Sequence, residues 1–277
     1  MCTIYGIGFL KGHSLHDNHA PRMLLRKLIE LNVGGNRSAT GVAYCNSKKI
    51  RVVKKDVDGE NFITLPEFIE SSMEEVKMPL PRHPQFPDIE DTTNIILGHC
   101  RLKTKGPATN NLNNHPVVYG DVVGIHNGVI SNDDELFSKY GIPRRAEVDS
   151  EAIFALINYY SRNVSIELAI QTAMEDIQGS LACAMVHRKY PNLLWLFRRN
   201  NPCTLYKYDK IGLLIWATRA VNAYDAVEHT EKVVPSFSAG EPDVINYPAM
   251  SGVCIDVKRV KIRTFDIKPG GCRFGFA

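Results

Sequence analysis

The second residue of the chain is a cysteine, and its position allows one residue to supply two reactive groups. Removal of Met1 leaves Cys2 with a side-chain thiol and a free α-amine. The α-amine has a reference pKa of about 7.7–8.0 and the thiol one of about 8.5, so the amine can activate the thiol near neutral pH. Cys2 is therefore a candidate nucleophile, although a single cysteine is more often a small buried apolar residue.

Further polar motifs follow Cys2 in a defined order along the chain. They are 98–106 (GHCRLKTKG), 113–116 (NNHP), 126–130 (HNGVI) and 147–151 (EVDSE). Several of them stand directly after runs typical of buried strands, and polar loops at such positions are where functional groups collect.

This ordered set, with the strand that begins at Cys2, resembles the class II glutamine amidotransferases, a group of N-terminal-nucleophile hydrolases. The resemblance is strongest to the glutaminase domain of glucosamine-6-phosphate synthase. It covers nearly the whole chain, including the distal Ala217-Thr218 pair. It implies that Cys2 attacks the side-chain amide of glutamine, forms a thioester and releases ammonia. Each motif is weak alone, and their combination is specific.

Asn127 and Gly128 are the donors of the oxyanion hole in this resemblance. Attack on an amide creates a tetrahedral oxyanion that needs hydrogen-bond donors held in place. The resemblance assigns the side-chain amide of Asn127 and the backbone N–H of Gly128 to this task, and Gly128 also to substrate binding. A competing interpretation is that the Asn-Gly pair only forms a type I′ turn between two strands.

The two charged ends of glutamine require a cation and an anion at some distance from the nucleophile. By similarity, Arg101 binds the α-carboxylate with help from Thr104, and Asp149 binds the α-ammonium. Taken separately, an arginine is more often a surface ion-pair partner and an aspartate more often a helix N-cap. Their occurrence together with Cys2 favours the functional interpretation.

Three places depart from the pattern of the family. Leu102 stands where tryptophan is common, Lys105 stands where histidine is common, and 35–41 (GNRSATG) differs from an Arg-Gly-x-Asp-Ser-Ala-Gly segment. These differences leave the nucleophile and the oxyanion hole unchanged. They affect contacts at the rim of the site and the closure of the loop over glutamine.

Neither a metal nor another cofactor is expected. The seven cysteines are odd in number and scattered, with no Cys-x-x-Cys pair, which favours free thiols. Histidines at 13, 16 and 19 are spaced without a preformed ligand geometry, and the motif-associated histidines at 99, 115 and 126 are expected to be structural hydrogen-bonding residues.

Composition is that of an ordinary globular protein, with 44% apolar and 23% charged residues and a net charge of +3. The basic residues are dispersed, so nucleic acid is not an expected partner. The sequence has neither a run of about 20 apolar residues nor a signal-peptide pattern, which predicts a cytoplasmic protein without a membrane partner.

The hydrophobic pattern predicts an α+β fold of one domain, residues 1–277, in which two sheets lie between helical layers. The resemblance makes this the four-layer αββα sandwich of the N-terminal-nucleophile hydrolases. A strand is predicted at 122–126 that ends at the Asn127-Gly128 pair, and a helix is predicted to start at Asp149 or Ser150. Four prolines place a surface loop within 77–93, and 268–277 is a short C-terminal tail.

Three functions remain open from the sequence. The first is a stand-alone glutaminase that binds L-glutamine and supplies ammonia to a synthase in a separate chain. The second keeps the fold but acts on another linear amide or a γ-glutamyl compound. The third is a catalytically silent binding module that regulates a partner. Fold alone does not decide the ammonia acceptor.

Overall fold

The computed structural model describes residues 2–15, 17–78, 92–267 and 274–276. In these ranges the strands are β1 (Thr3–Phe9), β2 (Ala39–Cys45), β3 (Ile50–Lys55), β4 (Ile95–Arg101), β5 (Val117–Tyr119), β6 (Val122–Ile130), β7 (Gly179–His187), β8 (Tyr190–Arg198), β9 (Thr204–Tyr208), β10 (Leu213–Ala217), β11 (Asp243–Ile245), β12 (Ser251–Asp256), β13 (Lys261–Asp266) and β14 (Phe274–Phe276). The helices are α1 (His19–Val33), α2 (Gly59–Phe62), α3 (Pro66–Glu75), α4 (Asp133–Tyr140), α5 (Ser150–Tyr160), α6 (Ile166–Asp176) and α7 (Ala220–Val233).

Within the described ranges, the strands form two seven-stranded sheets in which paired neighbours run antiparallel. The first sheet has the order β11-β9-β10-β1-β4-β2-β3, and the second has the order β14-β13-β12-β8-β7-β6-β5. Strand β1, which follows Cys2 directly, is therefore the central strand of the first sheet. The nucleophile candidate is attached to one of the most constrained strands of the fold.

Three buried apolar clusters define four layers. One cluster joins the first sheet to helices α1 and α7, and a second joins the second sheet to helices α5 and α6. The third cluster fills the space between the sheets with mainly aliphatic residues, such as Ile4, Leu97, Ile125 and Leu196. The order helix, sheet, sheet, helix confirms the predicted αββα sandwich of the α+β class.

Alternating side chains explain why β1 lies between two layers. Tyr5 and Ile7 face the helices, whereas Ile4 faces the other sheet. On the inner face Gly6 lies against Trp216, and a Cβ atom at Gly6 would approach the indole to 2.1 Å. The close packing of β1 against its neighbouring strand β10 in the same sheet therefore requires glycine at this point.

Two local predictions about the site segments have different outcomes. The helix predicted from Asp149 or Ser150 is confirmed, because α5 starts at Ser150 with Asp149 as its N-cap. The prediction that a strand ends at the Asn127-Gly128 pair is wrong. Strand β6 continues through both residues to Ile130, and Gly128 pairs with Leu181 on β7. Backbone pairing between β6 and β7 outweighs the tendency of Asn-Gly to form a turn. Sequence periodicity does not reveal this pairing.

The proline-rich loop and the tail fall largely outside the described residues. Residues 79–91 lie outside them, as do 268–273 and Ala277. Within the predicted tail, β14 pairs with β13 at the edge of the second sheet. The assignment of residues 1–277 to a single domain stays a prediction.

Candidate active site

The backbone at Cys2 is held by contacts at the start of β1. Thr218 follows the last residue of β10, where its backbone N–H donates to the Ile4 carbonyl at 2.9 Å and its Oγ1 accepts from the Ile4 N–H at 3.0 Å. On the other side of β1, Thr3 pairs with Cys100 of β4. The sheet register therefore brings Cys2 beside Arg101, the last residue of β4.

The Cys2 thiol contacts the loop that follows β4. Its Sγ lies 3.3 Å from both the backbone N and the carbonyl O of Leu102. Burial raises the pKa of the thiol, and the hydrogen bond from the Leu102 N–H opposes this shift. The thiol is therefore mainly protonated at neutral pH and needs a base in order to act as a nucleophile.

Arg101 is a buried cation at the side of Cys2. Its side chain is 2% exposed. Nη1 donates to Asn114 Oδ1 at 2.9 Å, and Nη2 donates to the carbonyls of Lys105 and Gly106 at 2.6 and 2.9 Å. All three acceptors are neutral, and no carboxylate of the described residues forms an ion pair with Arg101. In the described ranges its direct hydrogen-bond partners are therefore all neutral.

Asp149 is a buried anion that forms no ion pair among the residues that the structure describes. It is 4% exposed, and its carboxylate accepts from the backbone N–H groups of Ile130 at 2.7 Å and Ser150 at 2.9 Å. Both charges influence the Cys2 thiol, since Arg101 lowers its pKa and Asp149 raises it. The thiol therefore lies in the field of a buried cation and a buried anion that form no direct ion pair with each other.

Asn127 and Gly128 lie together on β6. Asn127 is fully buried, and neither its side-chain nitrogen nor its side-chain oxygen has a hydrogen-bond partner among the described residues. Its backbone carbonyl accepts from Asn201 Nδ2 at 2.7 Å, which holds the strand in place. An unpartnered buried amide is costly in a folded protein and is often explained by a functional role.

Gly128 adopts a backbone conformation that other residues rarely adopt, with φ of 154°. A Cβ atom there would lie 1.9 Å from the Ser180 carbonyl oxygen and 2.6 Å from His126 Nε2. The position therefore requires glycine both for its backbone angle and for space.

Thr104 is the sequence-predicted site residue for which the structure provides the least support. It is exposed on the loop after β4, and its hydroxyl makes no hydrogen bond within the described residues. Its role in carboxylate binding stays a prediction. Three of the other predicted residues, Cys2, Arg101 and Asp149, interact with one another electrostatically.

Two asparagines that had no assigned role position the charged residues. Asn114 binds Arg101 and also donates to the Ala108 carbonyl at 2.7 Å. Asn113 Oδ1 accepts from the backbone N–H of Glu147 at 2.7 Å, and its Nδ2 donates to Glu147 Oε2 at 2.9 Å. The pair therefore ties the segment before Asp149 to the loop that holds Arg101. The adjacent asparagines were visible in the sequence, but their partners were not.

Lys105 fastens the same loop to the start of α4. Its Nζ lies 2.6 Å from Asp133 Oδ2 and 2.9 Å from Asp134 Oδ2, and Arg144 joins the same two carboxylates. Since the Lys105 carbonyl also accepts from Arg101, this one residue links the loop, α4 and the buried cation. A departure from the family pattern therefore has a defined structural role.

Three histidines form a buried group behind the motifs. The rings of His99 and His115 stack with centroids 4.0 Å apart, and His99 Nε2 lies 3.1 Å from the His126 carbonyl. His126 Nδ1 lies 2.7 Å from Ser150 Oγ. The expectation of structural hydrogen bonding holds for His99 and His126. Neither ring nitrogen of His115 has a partner among the described residues.

Acidic pH is expected to destabilise the protein through these histidines. Burial lowers the pKa of His99 to about 3 and the pKa of His115 well below its usual value. An unfolded histidine has a pKa of about 6.5, so below this pH the unfolded state binds protons that the folded state does not. For each such histidine, the free energy of unfolding should be unaffected above about pH 6.5 and should fall by about 1.4 kcal/mol per pH unit below it.

Urea unfolding at pH 7.5, 6.0, 5.0 and 4.5 measures this dependence. The His115→Leu variant removes one of these groups without removing a hydrogen bond. The slope of its free energy of unfolding against pH should therefore be smaller than that of the unaltered protein by about 1.4 kcal/mol per pH unit. A free energy that stays constant between pH 6.5 and 5 would contradict the prediction.

The described residues provide neither a metal-binding cluster nor a membrane-spanning helix. No group of three or more histidine, cysteine, aspartate or glutamate side chains in these ranges is arranged to bind a metal ion. None of the helices in the same ranges is long and apolar enough to cross a membrane.

Comparison with curated proteins relates part of the chain to glutamine-dependent enzymes. A glutamine–fructose-6-phosphate aminotransferase (isomerizing) of Legionella pneumophila strain Paris is 32% identical over 117 residues, which cover 40% of this chain and 19% of the relative. The protein of the same name from Campylobacter jejuni is 31% identical over 116 residues, 41% of this chain and 19% of the relative. The chain thus matches about a fifth of the length of these relatives. No family model matches the sequence.

Comparison with solved structures covers nearly the whole chain. A structure described as the allosteric regulatory enzyme of purine biosynthesis has a TM-score of 0.67 at 13% identity. The glutamine phosphoribosylpyrophosphate amidotransferase of B. subtilis, complexed with ADP and GMP, has a TM-score of 0.63 at 14% identity. Each match covers 97% of this chain and 50% of the solved chain. The chain therefore shares the fold of these solved enzymes, and about 40% of its length is similar in sequence to glutamine–fructose-6-phosphate aminotransferases.

Proposed function

We propose that the chain hydrolyses the side-chain amide of glutamine with Cys2 as the nucleophile. One observation carries this proposal: a buried cation, Arg101, and a buried anion, Asp149, both act on the Cys2 thiol without forming an ion pair with each other. Burying an unpaired charge is expensive, so two such charges at one thiol call for a ligand of complementary charge. The α-carboxylate and α-ammonium of an amino acid provide that complement.

Arg101 retains donors for the carboxylate. A guanidinium has five N–H donors, and three hydrogen bonds to Asn114, Lys105 and Gly106 leave two. The side chain is already held in one orientation by these neutral acceptors, so binding a carboxylate costs little additional side-chain entropy. Asp149 is fixed in the same manner by two backbone N–H groups. The charged ends of glutamine then direct its amide toward Cys2.

The reaction proceeds in two halves. The α-amine of Cys2, freed by removal of Met1, takes the thiol proton, and the sulfur attacks the δ-carbonyl carbon of glutamine. The Asn127 side-chain amide and the Gly128 N–H donate to the oxyanion. The C–N bond then breaks as the proton passes to the leaving nitrogen, which departs as ammonia. Water attacks the resulting thioester, so that glutamate leaves and the thiol is restored.

A labelling experiment tests the nucleophile and the substrate together. A diazoketone analogue of glutamine should add covalently to Cys2 of the Met1-processed protein, and excess glutamine should slow the reaction. Peptide mass mapping locates the adduct, and release of glutamate from glutamine measures turnover. Absence of both the adduct and the turnover, with a confirmed free Cys2, would overturn the proposal and favour a catalytically silent binding module.

Substitution of the two charged residues distinguishes glutamine hydrolysis from the alternative activity on another linear amide. Arg101→Lys and Asp149→Asn should each reduce turnover of glutamine, because each weakens recognition of one charged end. An amide that lacks the α-carboxylate and α-ammonium would be affected far less. If both variants turned over glutamine as fast as the unaltered protein, the amidohydrolase alternative would be favoured.

We also propose that the ammonia passes to a synthase in a separate chain. The curated relatives are named for the transfer of nitrogen from glutamine to fructose 6-phosphate. Ammonia is protonated in water and then loses its nucleophilicity, so delivery requires contact between the two proteins. Affinity capture with the Cys2→Ala protein, followed by an assay of product formation with the captured chain, tests this partner.

Loosening the loop after β4 is expected to weaken glutamine binding. Lys105→Gln removes the ion pairs with Asp133 and Asp134, so the loop that holds Arg101 is bound less firmly to the start of α4. A partly exposed ion pair contributes about 1 kcal/mol or less, so the KM for glutamine should rise by up to about fivefold with kcat little changed. Steady-state kinetics at low and high NaCl measures the effect.

Lys103→Gln is the matched control for this loop, because Lys103 is exposed two residues away and forms no ion pair among the described residues. Its KM should equal that of the unaltered protein. Added salt should raise the KM of the unaltered protein and leave that of Lys105→Gln nearly constant. Equal KM values for all three proteins would show that the ion pairs do not hold the loop.

A further inference from the structure

A cavity lies between the edges of the two sheets and is separate from the proposed catalytic residues. It has a volume of about 570 Å³ and is bordered by the edge strand β3 and by β5. None of the residues assigned to glutamine hydrolysis lines it. Its volume is within the range of about 300–1,000 Å³ that is typical of small-molecule sites.

Three cations line this cavity without a carboxylate partner in the described ranges: Lys54, Lys55 and Arg145. Lys54 is the innermost, and its Nζ donates to the carbonyls of Asn114 at 2.7 Å and Pro116 at 3.0 Å. Burial, with a smaller contribution from Arg101, lowers the pKa of Lys54 to about 8. An ammonium has three donors, so one remains for a ligand.

The fourth cation of the lining is ion-paired, and the lining contains fewer carboxylates than cations. Arg51 forms ion pairs with Glu74 and Glu75. Of the two carboxylates in the lining, that of Glu151 is 1% exposed and accepts from the backbone N–H groups of Arg145 and Ala146. Glu67 is the other. The cavity therefore has an excess of positive charge available to a ligand.

Apolar side chains complete the lining of the cavity. Phe62, Leu65, Leu112 and Val117 border the cavity. The Arg145 guanidinium lies 4.6 Å from the centroid of the Tyr119 ring, which orients this cation while leaving its N–H donors available. A ligand that matches the lining has a compact anionic group and an apolar body.

We propose that this cavity binds a small molecule that carries a phosphate monoester on an apolar body. A phosphate monoester has a charge of about −1.5 to −2 at pH 7 and three acceptor oxygens, which match three unpaired cations better than a carboxylate does. Arginine and lysine together bind such a group through a planar fork and a point charge.

Lys54 connects this cavity to the proposed glutamine site. The same Asn114 accepts from Lys54 through its carbonyl and from Arg101 through its side chain. A phosphate that holds Lys54 therefore also affects the residue that orients Arg101. This coupling rests on the proposed function, and it makes the KM for glutamine depend on occupancy of the cavity.

Calorimetric titration tests the site with phenyl phosphate as the probe and benzoate as the carboxylate of similar size. Phenyl phosphate should bind more tightly than benzoate, and Arg145→Gln or Lys55→Gln should weaken its binding by about tenfold. Both positions are exposed, so these variants should fold. Lys232→Gln on α7, outside the cavity lining, is the matched control and should bind phenyl phosphate like the unaltered protein.

Binding of phenyl phosphate that is no tighter than that of benzoate, or that is unchanged in Arg145→Gln, would overturn the site. The coupling is tested by the KM for glutamine with and without saturating phenyl phosphate. A shift in the unaltered protein that is absent from Arg145→Gln supports it, and equal KM values overturn it. Because the titration requires no catalysis, failure of the cavity proposal is distinguishable from failure of the glutaminase proposal.

Discussion

Replacement of Cys2 by alanine is expected to reduce glutamate release by about 10⁴-fold or more, since the variant has no atom that can form the thioester. The fold should be retained, because the thiol contributes only contacts of 3.3 Å to the Leu102 backbone and lies at the end of the first sheet. A glutaminase assay with thermal unfolding as the parallel measurement separates the two effects.

Two further proteins complete this test. A form that retains Met1 keeps the thiol but has no free α-amine, so its turnover should also fall strongly. Cys45→Ala is the matched control, because Cys45 is buried between the sheets and away from the motifs. It should lose some stability and keep its turnover. Glutamate release by Cys2→Ala at the rate of the unaltered protein would rule out Cys2 as the nucleophile.

Asn127→Leu is expected to lower kcat by about 10²- to 10³-fold, which is the usual cost of losing one donor of an oxyanion hole. Its stability should be unchanged or higher. Neither polar atom of the Asn127 side chain has a partner in the described part of the protein, so the substitution removes an unsatisfied buried amide and no hydrogen bond. Steady-state kinetics and urea unfolding measure the two quantities.

Asn158→Leu is the matched control for Asn127→Leu, and it should lose stability while keeping its kcat. Asn158 Oδ1 accepts from the Asp121 backbone N–H at 3.0 Å, outside the proposed site. Loss of this hydrogen bond should lower the free energy of unfolding by about 1–3 kcal/mol and leave kcat nearly unchanged. If Asn127→Leu instead lost stability and kept its kcat, Asn127 would be a structural residue and the oxyanion-hole assignment would fail.

The layered fold was largely predictable because its signals are local. Apolar runs indicated the buried strands, and the helix that starts at Ser150 follows from an aspartate N-cap and apolar residues at helical spacing. The Asn127-Gly128 pair was predicted wrongly as the end of a strand. Pairing of Gly128 with Leu181, 53 positions away, extends the strand, and a local pattern contains no information on such a partner.

The sequence alone determined the chemical types at the proposed site: a thiol at position 2, the asparagine–glycine pair, a cation and an anion in a characteristic order. The tertiary structure decided which of them act on one another. It buried Arg101 and Asp149 without pairing them, left the Asn127 amide unpartnered and fastened the loop through Lys105. Burial, charge pairing and hydrogen-bond satisfaction depend on residues from distant segments, so only the folded chain specifies them.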